Sequence, residues 1–389
     1  MSLVDLWTGS PDQLRHKHVQ QIIAFAGDGK LLDGNEASKE FRDFLSQLPS
    51  SLLAQYAEEC LSDSFSDSGL ALQDIVNQIG RRLGFSVVDG RYRGTSAHIG
   101  FDGLWHFPNG HAAIVEVKTT DAYRIKLDKI VEYRRVLVRD GSVSEETSSI
   151  LIVVGRQDTG DLEAQIRGSR HAWDVRLVSV GGLLRLMALK EAVEDPTIIR
   201  RIHNMLIPRE FTRLDEIIEI LFSTAEEVKQ EEIPEEIEDE EDSARKPKFV
   251  PVAFHEACVA RIEKYLGKTL IKRSRATFSS ADDAIALICA VSKEHSSRGQ
   301  ASYWFAFHPH QKEFLETAHK AYVAFGCGSE ARIVLIPLND FSQWLDDLWT
   351  TEKDERMYWH VRIHAEDSNL LLDRRKGMGR LDVTQYLLT

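Results

Sequence analysis

Asp102, Glu116 and Lys118 lie in one short segment whose other residues are largely apolar. Glu116 and Lys118 are two positions apart in the alternating run 112–118, so on a β-strand their side chains point to the same face. Pro108–Gly110 predicts a turn between this strand and the preceding one. We therefore expect the two strands to pair and to bring the Asp102 carboxylate close to Glu116.

Two neighbouring carboxylates repel each other, and each raises the pKa of the other unless a cation is present. Mg²⁺ or Mn²⁺ would relieve this repulsion, because both ions prefer oxygen ligands. The carbonyl of Val117 lies between the two side chains and is a further candidate ligand. A lysine beside the metal can orient or deprotonate a water and stabilise charge that develops on a phosphate. The residue set predicts metal-dependent phosphodiester hydrolysis, with Mg²⁺ as cofactor and Mn²⁺ as its substitute.

This arrangement resembles the PD-(D/E)XK nuclease superfamily, with Asp102 as the first acid and Glu116, Val117 and Lys118 as the second half of the motif. Asp74 stands on the preceding helix, where many members carry a further acid. The resemblance implies a catalytic set of Asp102, Glu116, Lys118 and Asp74 and the metal ligands Asp102, Glu116 and Val117. Phe101 departs from the motif, in which a proline precedes the first acid.

A structural interpretation competes with this one, since a Glu-x-Lys pair on a strand is usually a solvated ion pair on an open face. Here the flanking residues indicate a central strand, where a charged group is costly to bury. That cost favours a functional site. For Asp74 the competing interpretation is an ordinary exposed acid on a helix.

The elements that position these residues follow from hydrophobic spacing. The run 70–83 predicts an amphipathic helix that Gly84 ends, and 126–138 predicts a second helix. Strands are predicted at 85–88, 99–105, 112–118, 149–154 and 175–180, with helices at 161–172 and 182–191. The order predicts an α/β fold with a restriction-endonuclease-like mixed β-sheet flanked by helices, which the resemblance places at residues 70 to about 180.

Composition divides the 389-residue chain into four parts. We predict a helical N-terminal region at 1–65, the nuclease domain with a helical extension at 66–225, an acidic linker at 226–248 and a separate α+β domain at 249–389. Glu226–Asp242 contains eleven acids and one lysine; subtracting this −10 from the −13 of the whole chain leaves −3 for the rest. The overall charge therefore does not exclude a basic groove for nucleic acid.

Several residues are candidates for contacts with phosphates. Those beside the motif are Arg91, Arg93, Thr119, Thr120 and Arg124. The most basic run of the chain adds Arg374, Arg375, Lys376 and Arg380. The competing interpretation for all of them is a set of solvated faces.

The C-terminal domain is rich in aromatic residues, most of which should pack in its core. A few could form a stacking platform for a base. Strands are predicted at 303–307, 331–337 and 358–363, and helices at 254–266, 312–325 and 341–348. By analogy with restriction enzymes, the domain would recognise the target; the competing interpretation is a dimerisation or regulatory domain.

We therefore expect a cytoplasmic Mg²⁺-dependent DNA endonuclease that acts in restriction or defence, with DNA as partner, no membrane association and a homodimeric state suited to cutting both strands. The start of the chain lacks a secretory signal, and the four cysteines form no zinc or disulfide pattern. Alternatives that stay open are a repair or recombination nuclease, a non-catalytic binding protein on a nuclease fold, and a nuclease gated through its C-terminal domain.

Overall fold

The computed structural model describes residues 2–63, 65–93, 100–119, 125–155, 160–208, 251–297, 300–353, 356–366, 369–375 and 377–388. The chain divides into two compact units, Met1–Pro234 and Glu235–Thr389. Across the described ranges it is a mixed α/β protein with thirteen α-helices and three β-sheets. The α/β class predicted from the sequence is therefore confirmed, and the acidic segment 226–248 lies outside the described residues.

The first unit contains ten helices in its described part. They are α1 (Leu3–Gly9), α2 (Asp12–Arg15), α3 (Val19–Phe25), α4 (Glu36–Gln47), α5 (Ser50–Ser62), α6 (Ser68–Leu83), α7 (Leu127–Arg139), α8 (Gly160–Arg167), α9 (Val180–Ala192) and α10 (Pro196–Met205). Helix α6 ends at Gly84, whose φ of +98° is the left-handed conformation that favours glycine. Its N–H bonds back to the carbonyls of Gly80 and Arg81, which closes the last turn.

Five strands form the sheet of the first unit in the order β1-β2-β3-β4-β5. They are β1 (Ser86–Asp89), β2 (Gly103–His106), β3 (Ala112–Lys118), β4 (Ser148–Val154) and β5 (Val175–Ser179). Strands β1, β2 and β3 pair antiparallel, whereas β3, β4 and β5 pair parallel. Strand β3 is therefore central, as its apolar sequence predicted.

The helices α1 to α6 and one face of the sheet share a single hydrophobic core. Helix α6 packs closely on β2, because Gly80 has no side chain: a Cβ there would lie 2.6 Å from the ring of Trp105. The other face of the sheet packs with α7 and α8. Helix α6 is thus held at a fixed distance behind the strand that follows Asp102.

The second unit contains three α-helices and eleven strands in its described part. The helices are α11 (Pro251–Leu266), α12 (Pro309–Leu315) and α13 (Leu338–Ser342), and the strands are β6 (Leu270–Lys272), β7 (Thr277–Ser280), β8 (Ile285–Ser292), β9 (His295–Ser297), β10 (Gln300–Phe307), β11 (Lys320–Cys327), β12 (Ile333–Pro337), β13 (Trp349–Lys353), β14 (Arg356–Glu366), β15 (Asn369–Leu372) and β16 (Leu381–Asp382). The helix predicted at 312–325 is wrong: α12 ends at Leu315, and β11 pairs parallel with β8.

The strands of the second unit form two sheets. One has the order β12-β11-β8-β7-β6, and the other has the order β16-β15-β14-β10-β9 with β13 paired to β14. Apolar residues of β8, β11, β10 and β14 pack together between the sheets. Helix α11 covers the opposite face of the β8 sheet. Among the described helices of the chain, none is both long and apolar enough to cross a membrane.

Candidate active site

The register of β2 and β3 places Asp102 beside the end of β3. Gly103 pairs with Val115, so Asp102 is the residue just before the ladder. The Asp102 backbone N–H donates to the carbonyl of Val115 at 3.0 Å. Its carboxylate Oδ2 accepts a hydrogen bond from the backbone N–H of Val117 at 2.6 Å. The structure therefore brings Asp102 next to the strand that carries Glu116, as the turn at Pro108–Gly110 predicted.

Helix α6 fixes the backbone of Asp102 through two buried amide side chains. Gln73 Nε2 and Asn77 Nδ2 donate to the Asp102 carbonyl at 3.1 and 2.9 Å. The backbone N–H of Gly90 donates to the same oxygen at 3.1 Å. Asn77 is itself oriented, because its Oδ1 accepts from the indole N–H of Trp105 at 3.0 Å. A carbonyl with three donors holds the first acid of the site in a defined position.

Sequence reasoning did not identify Gln73 and Asn77. They are four residues apart on the face of α6 that turns towards β2, and both are buried. The sequence did contain a signal for them, because two amides lie among the apolar residues of an amphipathic helix. Buried polar groups need hydrogen-bond partners, so these amides indicate a polar contact. Their partner lies 25 or more positions away in the sequence.

Glu116 and Lys118 form a close ion pair on β3. Lys118 Nζ lies 2.5 Å from Glu116 Oε1, and the two side chains are 35% and 11% exposed. The other carboxylate oxygen, Glu116 Oε2, is buried and has no hydrogen-bond partner among the described residues. A buried carboxylate oxygen without a donor is costly, so this atom is the clearest candidate for a ligand contact in the site.

The two acids act on each other electrostatically. The pKa of Asp102 is raised to about 7, mainly by burial and also by the neighbouring Glu116, against the opposing effects of the Val117 N–H and the Lys118 ammonium. Asp102 thus lies where its charged form is disfavoured in the absence of further positive charge.

These features fit a divalent cation. Asp102 and Glu116 supply carboxylate oxygens, and Val117 adds a backbone carbonyl. The N–H and C=O of a strand residue point to the same side, and the Val117 N–H faces Asp102, so its carbonyl does too. In the described part of the chain, no three His, Cys, Asp or Glu side chains form a metal-binding cluster. Two carboxylates are sufficient for Mg²⁺, which commonly keeps several water ligands.

Asp74 lies in a separate polar network. Its Oδ1 accepts from Arg42 Nε at 2.9 Å, and its Oδ2 accepts from the hydroxyl of Tyr92. Asp74 is 1% exposed, and burial raises its pKa to about 6, although Arg42 and Tyr92 oppose the shift. Both oxygens are therefore occupied by protein donors. Asp74 is not the exposed helix acid of the competing interpretation, and these contacts favour a structural role in joining α4, α6 and the segment after β1.

Three of the residues predicted to contact phosphate beside the motif, Arg91, Arg93 and Thr119, lie in the described part of the chain. Arg91 and Arg93 are exposed and follow Gly90, which bonds to Asp102. The backbone of this segment is held by Asp33, whose carboxylate accepts from the Arg93 N–H at 3.3 Å. Thr119 is half-buried directly after Lys118. Thr120 and Arg124 lie outside the described residues.

A cleft of about 590 Å³ opens at the start of α7 and carries three cationic side chains. Lys126, just before α7, and Lys129 on α7 line it together with Asp128, and Arg170 lines it from the segment after α8. The pKa of Lys129 is raised, mainly by a hydrogen bond with Tyr133 and to a smaller extent by Glu116. The cleft therefore offers cations for contact with a polyanion.

The basic run of the second unit is engaged in bonds within the chain. Arg374 donates to the carbonyls of Met378 and Gly379 at 2.6 and 3.2 Å and lies 3.4 Å from Asp347. Arg380 pairs with Asp373 at 2.8 Å and with Glu366. These contacts favour a structural role for both arginines.

Arg375 is the remaining arginine of the run. Arg375 donates to the carbonyl of Leu348 at 2.8 Å, and its side chain is exposed. Lys376 lies outside the described residues.

No family model matches the sequence, and comparison with curated proteins finds no significant relative. The interpretation of the site thus depends on its residues and their geometry.

Proposed function

We propose that the protein is a Mg²⁺-dependent DNA endonuclease with a restriction-endonuclease-like catalytic unit, acting in restriction or defence. The observation that carries the proposal is the buried Glu116 Oε2, which has no hydrogen-bond partner in the described part of the chain. It belongs to strand β3, which also carries Lys118 and bonds to the carboxylate of Asp102. If Glu116 and Lys118 formed only a structural ion pair, the burial of a second acid beside them would have no purpose. That second acid is Asp102, whose pKa is raised to about 7.

Asp102 and Glu116 would hold the cation, together with the carbonyl of Val117. When bound, Mg²⁺ would lower the pKa of a water ligand and neutralise negative charge on the phosphate. The Val117 N–H keeps one Asp102 oxygen in place, and Gln73 and Asn77 keep its backbone in place. The chain itself thus fixes the geometry of the first acid before any ligand arrives.

Lys118 supplies the fixed cation of the site. Its ammonium is about one-third exposed and 2.5 Å from Glu116, so it can face both solvent and the acidic pair. From there it can orient an attacking water and stabilise charge on the phosphate oxygens. The cations at Lys126, Lys129 and Arg170, which line the cleft at the start of α7, would favour binding of the polyanionic strand.

The experiment is a cleavage assay on methylated and unmethylated plasmid DNA with Mg²⁺, Mn²⁺ or EDTA. We expect cutting that needs the metal and leaves 5′-phosphate and 3′-hydroxyl ends. Lys118→Ala should lose cutting by roughly 100-fold or more, a loss typical of one fixed group that stabilises transition-state charge. Lys264→Ala, on the exposed face of α11, is the matched control and should cut normally. Metal-independent cutting, or full activity in Lys118→Ala, would refute the proposal.

A further inference from the structure

The β14 sheet of the second unit has one face that no described helix covers. Its inner face packs Phe305, Phe307 and Val361 in the core between the two sheets. On the outer face, Trp304 is 38% exposed and Trp349 is 50% exposed. A contiguous exposed patch of large aromatic residues is typical of an interaction site, whereas single exposed apolar residues are ordinary.

The strand register places these side chains in neighbouring rows. Trp349 pairs with His360, and Trp304 pairs with Arg362. Directly opposite residues of antiparallel strands share a face, so all four belong to the outer surface. Tyr358 lies two residues before His360 and therefore on the same face. We call the surface formed by Trp304, Trp349, Tyr358, His360 and Arg362 the aromatic face.

Contacts within the aromatic face hold its rings in defined orientations. The Trp304 indole N–H donates to His360 Nδ1 at 3.1 Å, and His360 Nε2 lies 2.6 Å from the hydroxyl of Thr351. Since Nδ1 accepts, Nε2 carries the proton and donates to Thr351. The Tyr358 and His360 rings have centroids 4.9 Å apart. A platform with fixed rings loses little conformational entropy when a ligand stacks on it.

Two cations lie on or beside this face. Arg362 is exposed beside Trp304, and Lys293 is exposed on the neighbouring segment. Burial and, in addition, both cations lower the pKa of His295. Residues 302–308, 349–351 and 358–364, which carry the aromatic rings, contain no Asp or Glu, whereas Glu294 follows Lys293, and Glu366, further along β14, is paired with Arg380. Aromatic rings combined with cations are the features that attract bases and phosphates together.

We propose that the aromatic face binds single-stranded nucleic acid, with bases stacked on Trp304, Trp349 and Tyr358 and phosphates paired with Arg362 and Lys293. Four residues of β14 separate Tyr358 from Arg362, a span of ~13 Å at the rise of a strand. That length accommodates about two or three stacked nucleotides, as in other β-sheet platforms. The proposal does not depend on the nuclease activity.

The test measures binding of the full chain to fluorescent oligonucleotides in EDTA, which prevents metal-dependent cutting. The probes are twelve-nucleotide oligo-dT, oligo-rU and a DNA duplex of equal length. Trp304→Ala and Trp349→Ala should each weaken single-strand binding by roughly 5- to 150-fold, the range for loss of one stacked base. Trp304→Phe should restore most of the affinity. The matched control is Trp173→Ala, since Trp173 is 65% exposed in the first unit and should leave binding unchanged.

A second readout distinguishes this surface from any binding by the first unit. Oligonucleotides that contain 5-iodouracil should crosslink on irradiation to Trp304, Trp349 or Tyr358, which mass spectrometry of the peptides identifies. Stronger binding of oligo-dT would indicate DNA as the ligand, and stronger binding of oligo-rU would indicate RNA. Unchanged affinity for single strands in both alanine variants, an equal loss of duplex binding in these variants, or crosslinks confined to the first unit would overturn the proposal.

Discussion

Asp102→Asn should stabilise the metal-free protein and should remove the additional stability that the wild type gains on binding metal. The folded protein holds the pKa of Asp102 at about 7, above its ordinary value of 3.8. Between these values the folded state binds the proton more tightly than the unfolded state, so the free energy of unfolding falls as pH rises through this window. Above pH 7 the free energy of unfolding no longer falls on account of Asp102. The total loss reaches up to about 4 kcal/mol, at 1.36 kcal/mol per unit of pKa difference between the folded and unfolded states.

Asparagine removes this charge and keeps an oxygen that can accept from the Val117 N–H. Between pH 5 and pH 8 the wild type should therefore lose about 3 kcal/mol more unfolding free energy than Asp102→Asn. The raised pKa of Asp74 acts in the same direction, but it is common to both proteins and cancels from the comparison.

The assay is urea unfolding in EDTA at pH 5 and pH 8, followed by thermal unfolding with Mn²⁺. The wild type should gain stability with Mn²⁺ because the ion binds only the folded state, and Asp102→Asn should gain little. Asp43→Asn, which replaces an exposed acid on α4, is the control and should match the wild type in every condition. If Asp102→Asn were no more stable than the wild type at pH 8 without metal, the account of a strained acidic pair would be refuted.

Three further variants test the surroundings of the site. Asn77→Leu leaves the indole N–H of buried Trp105 without its acceptor and should lower the free energy of unfolding by about 1–3 kcal/mol. Calorimetry should also show weaker Mn²⁺ binding; an unchanged Mn²⁺ affinity would show that Asn77 does not position Asp102. Arg42→Met leaves the buried Asp74 without its cation and should cost about 3 kcal/mol at pH 8. This loss of unfolding free energy should be smaller at pH 5, where Asp74 is protonated. The Mn²⁺ affinity should be unchanged; a large decrease would mean that Asp74 contributes to the metal site. Arg374→Ala should lower the melting temperature without changing DNA affinity, because that guanidinium bonds to the carbonyl of Met378 within the chain, and a salt-sensitive loss of DNA binding would contradict this.

The acids and the lysine of the site could be predicted from the sequence because their positions follow from local rules. Alternation along 112–118 fixes the common face of Glu116 and Lys118, and a turn of three residues fixes the pairing of the strand that follows Asp102. The helix 70–83 and the strands around it were predicted for the same reason, since their periodicity is local. The strand predicted at 99–105 begins later, at Gly103, and part of that prediction lies outside the described residues.

The partners of Asp74 and Asp102 could not be predicted, because they come from distant parts of the chain. Arg42 and Tyr92 reach Asp74 from α4 and from the segment after β1, and no spacing rule relates them. The helix predicted at 312–325 failed for a related reason. Its apolar residues fit helical spacing, yet parallel pairing with β8 stabilises Lys320–Cys327 as a strand. Non-local pairing decided that segment over local preference.

The most direct measurement of the central claim is the binding of Mn²⁺ to the purified protein at pH 7.5, followed by electron paramagnetic resonance. We predict one site per chain that Glu116→Gln abolishes, because Glu116 Oε2 is buried and has no hydrogen-bond partner within the described ranges. Glu132→Gln, which changes an exposed acid on α7, should bind as the wild type does. Absence of a Mn²⁺ site in the wild type, or an unchanged site in Glu116→Gln, would contradict the assignment of Asp102 and Glu116 as a metal-binding pair.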